Sequence, residues 1–225
     1  MKVKSLVLYA AIASALSAPA FAEDSMKWFE PGKWYVRIGA GASVQNDQNI
    51  DQTGLAASGI DGKMNIDSGY TAGISLGYMI DKHWSTEVAW DYISNDADLK
   101  LSNGNQLKNG DLASTILFFN GRYTFDEVAQ TKLRPYLGAG LGLVTEIDAD
   151  VRLAGKSLEF NERNKLAYQL MAGATYPINE KIDFDAGVRY LRVDSVDLEQ
   201  TGGSGKIKNL DYDPWLFTVG VTYKF

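Results

Sequence analysis

Apolar and polar residues alternate with a period of two along most of this chain. The last segment shows it most plainly. Val219, Val221, Tyr223 and Phe225 fall on one face, and Thr218, Gly220, Thr222 and Lys224 on the other. That period is the signature of a β-strand. Eight such segments occur, at residues 34–44, 69–80, 84–94, 113–125, 136–147, 166–176, 182–193 and 215–225. Each is close to the roughly 9–11 residues that a tilted strand needs to cross a bilayer. The fifth segment is expected to show Leu137, Ala139, Leu141, Leu143 and Ile147 on its apolar face.

The apolar faces carry aromatics at their ends. Trp34, Tyr78, Trp84, Phe125, Tyr176, Phe184, Tyr223 and Phe225 fall toward one rim. Tyr70, Trp90, Tyr92, Tyr168, Tyr190 and Trp215 fall toward the other. Two aromatic girdles around an aliphatic band suit a protein with lipid outside. The connections alternate as well. Residues 81–83, 126–134 and 177–181 are short to moderate. Residues 45–68, 95–112, 148–165 and 194–214 are long and polar. The expected fold is therefore all-β: an eight-stranded antiparallel transmembrane up-and-down β-barrel, with its termini in the periplasm and its long loops extracellular.

Composition adds an address. Lys2 and Lys4, a short apolar stretch and Ala20-Phe21-Ala22 read as a secretory signal peptide over residues 1–22, leaving the barrel as residues 23–225. The formal net charge is −6, and loss of Lys2 and Lys4 would make it −8. An acidic chain is a poor partner for nucleic acid. With no cysteine, disulfide frameworks and thiolate sites are excluded. The single histidine, His83, lies in a short turn beside Trp84, a poor place for hydrolytic machinery. The sequence gives no reason to expect catalytic activity, a cofactor or a metal. Asp96, Asp98, Asp148 and Asp150 make acidic loops that lack an ordered calcium-loop spacing.

The inward face is rich in glycine, and its larger residues sort by depth. Arg37, Glu87, Arg122, Asp183, Asp185 and Lys224 fall near the periplasmic end, with Asp91 and Arg189 above them. Enclosed charges must pair or meet water. Glu87 is expected to meet Arg122, and Asp183 or Asp185 to meet Lys224. Two readings stand, a salt-bridged plug and a proton or ion relay. Toward the outer end the inward positions turn apolar, with Ile93, Ile116, Phe118, Val144, Met171, Leu191 and Leu216. These form either a cup open to the outside or a core that fills the barrel.

Three runs carry a family likeness. Leu133-Arg-Pro-Tyr-Leu-Gly-Ala-Gly140, Tyr176-Pro-Ile-Asn179 and Asp213-Pro-Trp-Leu-Phe217 resemble the OmpW family of small outer-membrane barrels. The first run is shared more broadly with OmpA, OmpX and opacity-type barrels. The likeness implies an apolar interior that passes small hydrophobic molecules and releases them sideways into the membrane. Leu166 stands where such proteins carry a tryptophan at the top of the sixth strand. Gly220, Tyr223 and Phe225 resemble the signal read by the outer-membrane barrel assembly machinery. The expected partners are outer-membrane lipid, that machinery and small hydrophobic solutes. The rival expectation is a structural or adhesive surface barrel that works through its long loops.

Overall fold

The computed structural model describes residues 32–45, 48–53, 62–101, 106–128, 130–153, 156–162, 164–200 and 206–225. The segment read as a signal peptide lies outside them. Twelve strands are formed: β1 (Trp34–Val44), β2 (Gln48–Thr53), β3 (Gly62–Ile66), β4 (Gly69–Met79), β5 (Trp84–Leu101), β6 (Gln106–Thr124), β7 (Arg134–Leu153), β8 (Lys156–Glu162), β9 (Lys165–Pro177), β10 (Ile182–Gln200), β11 (Lys206–Tyr212) and β12 (Trp215–Lys224). No helix in the described residues is long and apolar enough to cross a membrane.

Among the described residues, the expected eight-stranded barrel closes in the order β1, β4, β5, β6, β7, β9, β10, β12 and back to β1, each neighbour antiparallel. Closure leaves no unpaired edge, as a strand in lipid requires. The last strand completes the ring through Tyr35 opposite Lys224 and Val44 opposite Trp215. The outward face is apolar, so that Leu141 is 73% exposed while inward Ile116 is 0% exposed.

The long connections are more structured than their polar composition suggests. β5, β6, β7 and β10 run on past the barrel, and β2, β3, β8 and β11 pair with them and with one another. A second closed ring results, in the order β3, β5, β6, β7, β8, β10, β11, β2. The wall therefore continues as a crown beyond the aromatic girdle. Its backbone groups pair as in the barrel, although its sequence lacks the apolar face that made the barrel strands legible.

One expected orientation is wrong. Ile147 is buried inside the wall, not on the outward face. Thr115 pairs with Glu146 but Ile116 pairs with Val144, so Thr145 bulges. A bulge inserts one residue and exchanges the faces beyond it. Thr145 turns outward and its hydroxyl donates to the Thr115 carbonyl at 2.9 Å.

The girdles form as expected. At the end bearing the termini, Trp34 meets Tyr78 edge-on at 5.2 Å between ring centres, and Trp84, Tyr123 and Phe125 continue the belt at 5.0 Å spacings. At the loop end Tyr70 lies 6.1 Å from Tyr92, and Tyr190 lies 5.0 Å from Trp215.

Candidate functional site: the layered interior of the barrel

Alternation aims every second residue of each strand into the bore, and the register stacks these residues into layers. The layer nearest the termini holds Asp183 between two cations. Lys224 Nζ lies 2.9 Å from its Oδ1, and Arg134 Nη2 lies 3.4 Å from its Oδ2. The Lys224–Asp183 pair was expected, whereas Arg134 was not read as part of the cluster.

Above it, Glu87 is the hub. Arg37 grips Glu87 Oε1, Asn120 Nδ2 donates to the same oxygen at 3.1 Å, and Tyr35 donates to Oε2 at 3.2 Å. Arg37 also lies 3.9 Å from Asp185. The expected Glu87–Arg122 pair is not the one formed. Arg122 instead donates to the Thr175 hydroxyl and stacks 3.7 Å over the Tyr136 ring. The reason is space on β4, which separates β1 from β5. It presents only Ser75 and Gly77 here, so Arg37 and Tyr35 reach past it to Glu87. A Cβ on Gly77 would collide with the Tyr35 ring, and one on Gly187 with the Tyr136 hydroxyl. Neighbouring glycines thus make room for two inward tyrosines that alternation placed correctly but that were not singled out.

The third layer pairs Arg189 Nη1 with Asp91 Oδ2 at 2.6 Å across the bore. Gln169 joins this layer to the one below by donating to Asn120 Oδ1 at 2.8 Å. A cavity of about 50 Å³ lies here, bordered by Arg37, Asp91, Tyr136, Asp185 and Arg189.

Then the chemistry changes. Ile93, Ile116, Phe118, Val144, Met171, Leu191 and Leu216 all point inward and are all buried, together with Leu112, Ile147, Ala167 and Val193. Leu166, at the place of the family's tryptophan, points outward and is 67% exposed. Over the apolar layer lies Tyr212, fully buried, at the end of β11. Its hydroxyl meets Ser114 on the opposite wall at 2.7 Å. Because Tyr212 lies in a connection, no alternation marked it. A second tie at this end runs from Ser43 to Asn95 at 2.9 Å.

His83 remains in its turn, Nε2 3.2 Å from Asp126 Oδ1, with its ring stacked on Tyr123. That hydrogen bond, then nearby Lys82, holds the Asp126 carboxyl below the usual range. Asp81 is lowered as well, by the backbone N–H groups of Trp84 and His83 that its carboxylate accepts.

The chain is similar to proteins of the bacterial outer membrane. Outer membrane protein W of Vibrio cholerae is 28% identical over 226 residues, covering 96% of each chain. Outer membrane protein W of Salmonella typhi is 26% identical over 230 residues, covering 99% of each chain. The crystal structure of OprG from Pseudomonas aeruginosa superposes with a TM-score of 0.67 at 21% identity, covering 87% of this chain and 97% of that one. Neisserial surface protein A superposes at 0.51 with 22% identity, covering 85% and 97%. These two likenesses speak for the fold. The description "Outer membrane protein beta-barrel domain" matches residues 8–225, and the chain belongs to that family as an OmpW-like barrel of the outer membrane.

Proposed function

We propose that the barrel admits small uncharged apolar molecules from its loop end into the apolar layer, and that the charged layers beneath deny them a straight route through. The observation that carries this reading is the apolar layer itself. Seven aliphatic, aromatic and thioether side chains line the bore of a membrane barrel, where a water-filled channel would present polar ones. Such a surface favours an alkyl chain or ring by about 25 cal/mol per Å² of apolar area covered, and it offers an ion nothing.

Entry requires Tyr212 to swing aside, since the layer below it is closed. Passage onward would have to break Arg189 from Asp91 and Arg37 from Glu87, which costs far more than an apolar solute can return. The exit is therefore sideways. At the level of the layer the wall carries the Thr145 bulge, and β8 gives way to β9 at Asn164, whose φ is 61°.

In this reading the short turns and both termini face the periplasm, and the crown faces outward. Phe225 and Tyr223 then mark the strand that the assembly machinery captures by strand pairing. Deleting Phe225 is expected to lower the folded fraction in the outer membrane, and unchanged assembly would remove that role.

Uptake of an uncharged apolar dye into vesicles with a lipopolysaccharide outer leaflet tests the main proposal. The dye is expected to enter faster through the unaltered protein than through Ile116→Asp, while a polar dye of equal size enters through neither. Equal apolar-dye rates in protein-containing and protein-free vesicles would sink it.

A further inference from the structure

We infer that the mouth at the termini end is a binding site for a small oxyanion, either a carboxylate or a phosphate group. This site shares no residue with the apolar layer, so it stands or falls separately from the uptake reading.

Charge is the first argument. Below the apolar layer, Arg189 offsets Asp91, and Arg37 with Arg122 offset Glu87 with Asp185. That leaves Arg134 and Lys224 sharing one carboxylate, Asp183, at 3.4 and 2.9 Å. The surplus positive charge of the bore therefore lies at this mouth. Asp81, which borders the mouth with Asp183, is committed to the His83 and Trp84 N–H groups at 2.7 and 2.8 Å. Lys82 faces Asp126 at 3.5 Å, both of them exposed.

The mouth also holds an unused donor. Arg134 Nε is buried and makes no hydrogen bond, while Nη2 of the same guanidinium reaches Asp183. Arginine presents its N–H groups as a rigid fork that matches the paired oxygens of a carboxylate or phosphate. A buried donor left unmatched is costly, and an acceptor brought to it recovers that cost.

Shape points the same way. A cavity of about 60 Å³ opens here, bordered by Arg122, Arg134 and Lys224, by the carboxylates of Asp81 and Asp183, and by the hydroxyls of Ser85, Thr175 and Thr222, the last of which donates to Asp185 at 3.5 Å. A single water needs about 10–15 Å³ of such space, so the cavity has room for a carboxylate or phosphate head. Charge alone would serve chloride. The Ser85 and Thr175 hydroxyls and the guanidinium fork favour a group with several acceptor oxygens.

Titration calorimetry of the full chain in a neutral detergent, at constant ionic strength, is the test. Sodium phosphate is expected to bind saturably, and sodium chloride is not. Lys224→Gln and Arg134→Gln should each weaken phosphate binding by about tenfold or more. Arg189→Gln, two layers deeper, should leave it unchanged. The strand signature in circular dichroism checks folding. Should Arg134→Gln misfold, Lys224→Gln at the mouth decides. Repeating the titration in phosphatidylglycerol and phosphatidylcholine nanodiscs separates two sources of the anion. Competition by phosphatidylglycerol assigns the site to a lipid headgroup, and equal binding in both assigns it to a free solute. An absence of saturable phosphate binding, or Lys224→Gln binding as well as the unaltered protein, would overturn the inference.

Discussion

Tyr212 Oη lies 2.7 Å from Ser114 Oγ, although the two residues are 98 apart in sequence and stand on opposite sides of the bore. One hydrogen bond thus spans the loop end of the apolar layer. It joins β11, which belongs to the crown, to β6, which belongs to both the barrel and the crown. The crown and the bore are coupled at this point.

Tyr212→Phe removes the hydroxyl alone and leaves Ser114 buried with one fewer partner. It is expected to cost about 1–3 kcal/mol in unfolding free energy. Tyr212→Ala also removes the ring that spans the mouth, and apolar-dye uptake should speed up several-fold. Dye entry at the unaltered rate in Tyr212→Ala would show that the ring does not limit access.

Phe118→Ala is expected to destabilise the barrel by about 3–5 kcal/mol, the usual cost of emptying a packed aromatic site. Gly142→Ala attacks the same ring from its neighbour, because a Cβ there would strike Phe118. Both variants should weaken binding of an alkyl probe. Denaturant unfolding in detergent measures the first effect, and probe titration the second.

Glu87→Gln strips Arg37 of its main partner. Breaking a buried pair from one side costs about 3–5 kcal/mol, whereas replacing both members with methionine should recover most of that. A double-mutant cycle separates the partner seen here from the one expected from sequence. Coupling of Glu87 to Arg37 should clearly exceed its coupling to Arg122.

The turn at Asp81 gives a pH signature. Its carboxyl is held below the ordinary range by the N–H groups of Trp84 and His83. A depressed folded-state pKa means that its contribution is complete above about pH 4, the unfolded value. It is lost as pH falls through the lower folded value. Asp81→Asn keeps an acceptor oxygen and should abolish the pH dependence without opening the turn. Amide exchange at Trp84 across the acid range reads both outcomes.

Most of the wall was legible because alternation reports the face of every strand, and a closed barrel has only two faces. Where the period broke, the reading failed. The Thr145 bulge leaves no mark in composition, so alternation alone assigns Ile147 to lipid. Crown strands have no lipid to face, so their pattern looked like loop. Within the site, depth could be read only in part from position along each strand, because Met171, grouped with the apolar residues, stands opposite Arg189 and borders the cavity of the charged layers. Partner choice could not, because it depends on what the intervening strand leaves empty. Glu87 was matched to Arg122 on the adjacent strand, while Gly77 opened a path to Arg37 two strands away.

Methyl NMR of the barrel in nanodiscs, during titration with a short alkyl alcohol, tests most directly the proposal that a solute enters the closed apolar layer. Signals of Ile93, Ile116, Val144 and Leu191 are expected to shift saturably and together. Those of lipid-facing Leu117, Leu141 and Leu170 should drift only in proportion to the alcohol dissolved in the membrane. Shifts confined to the lipid-facing methyls, with the inner four unmoved, would contradict the account.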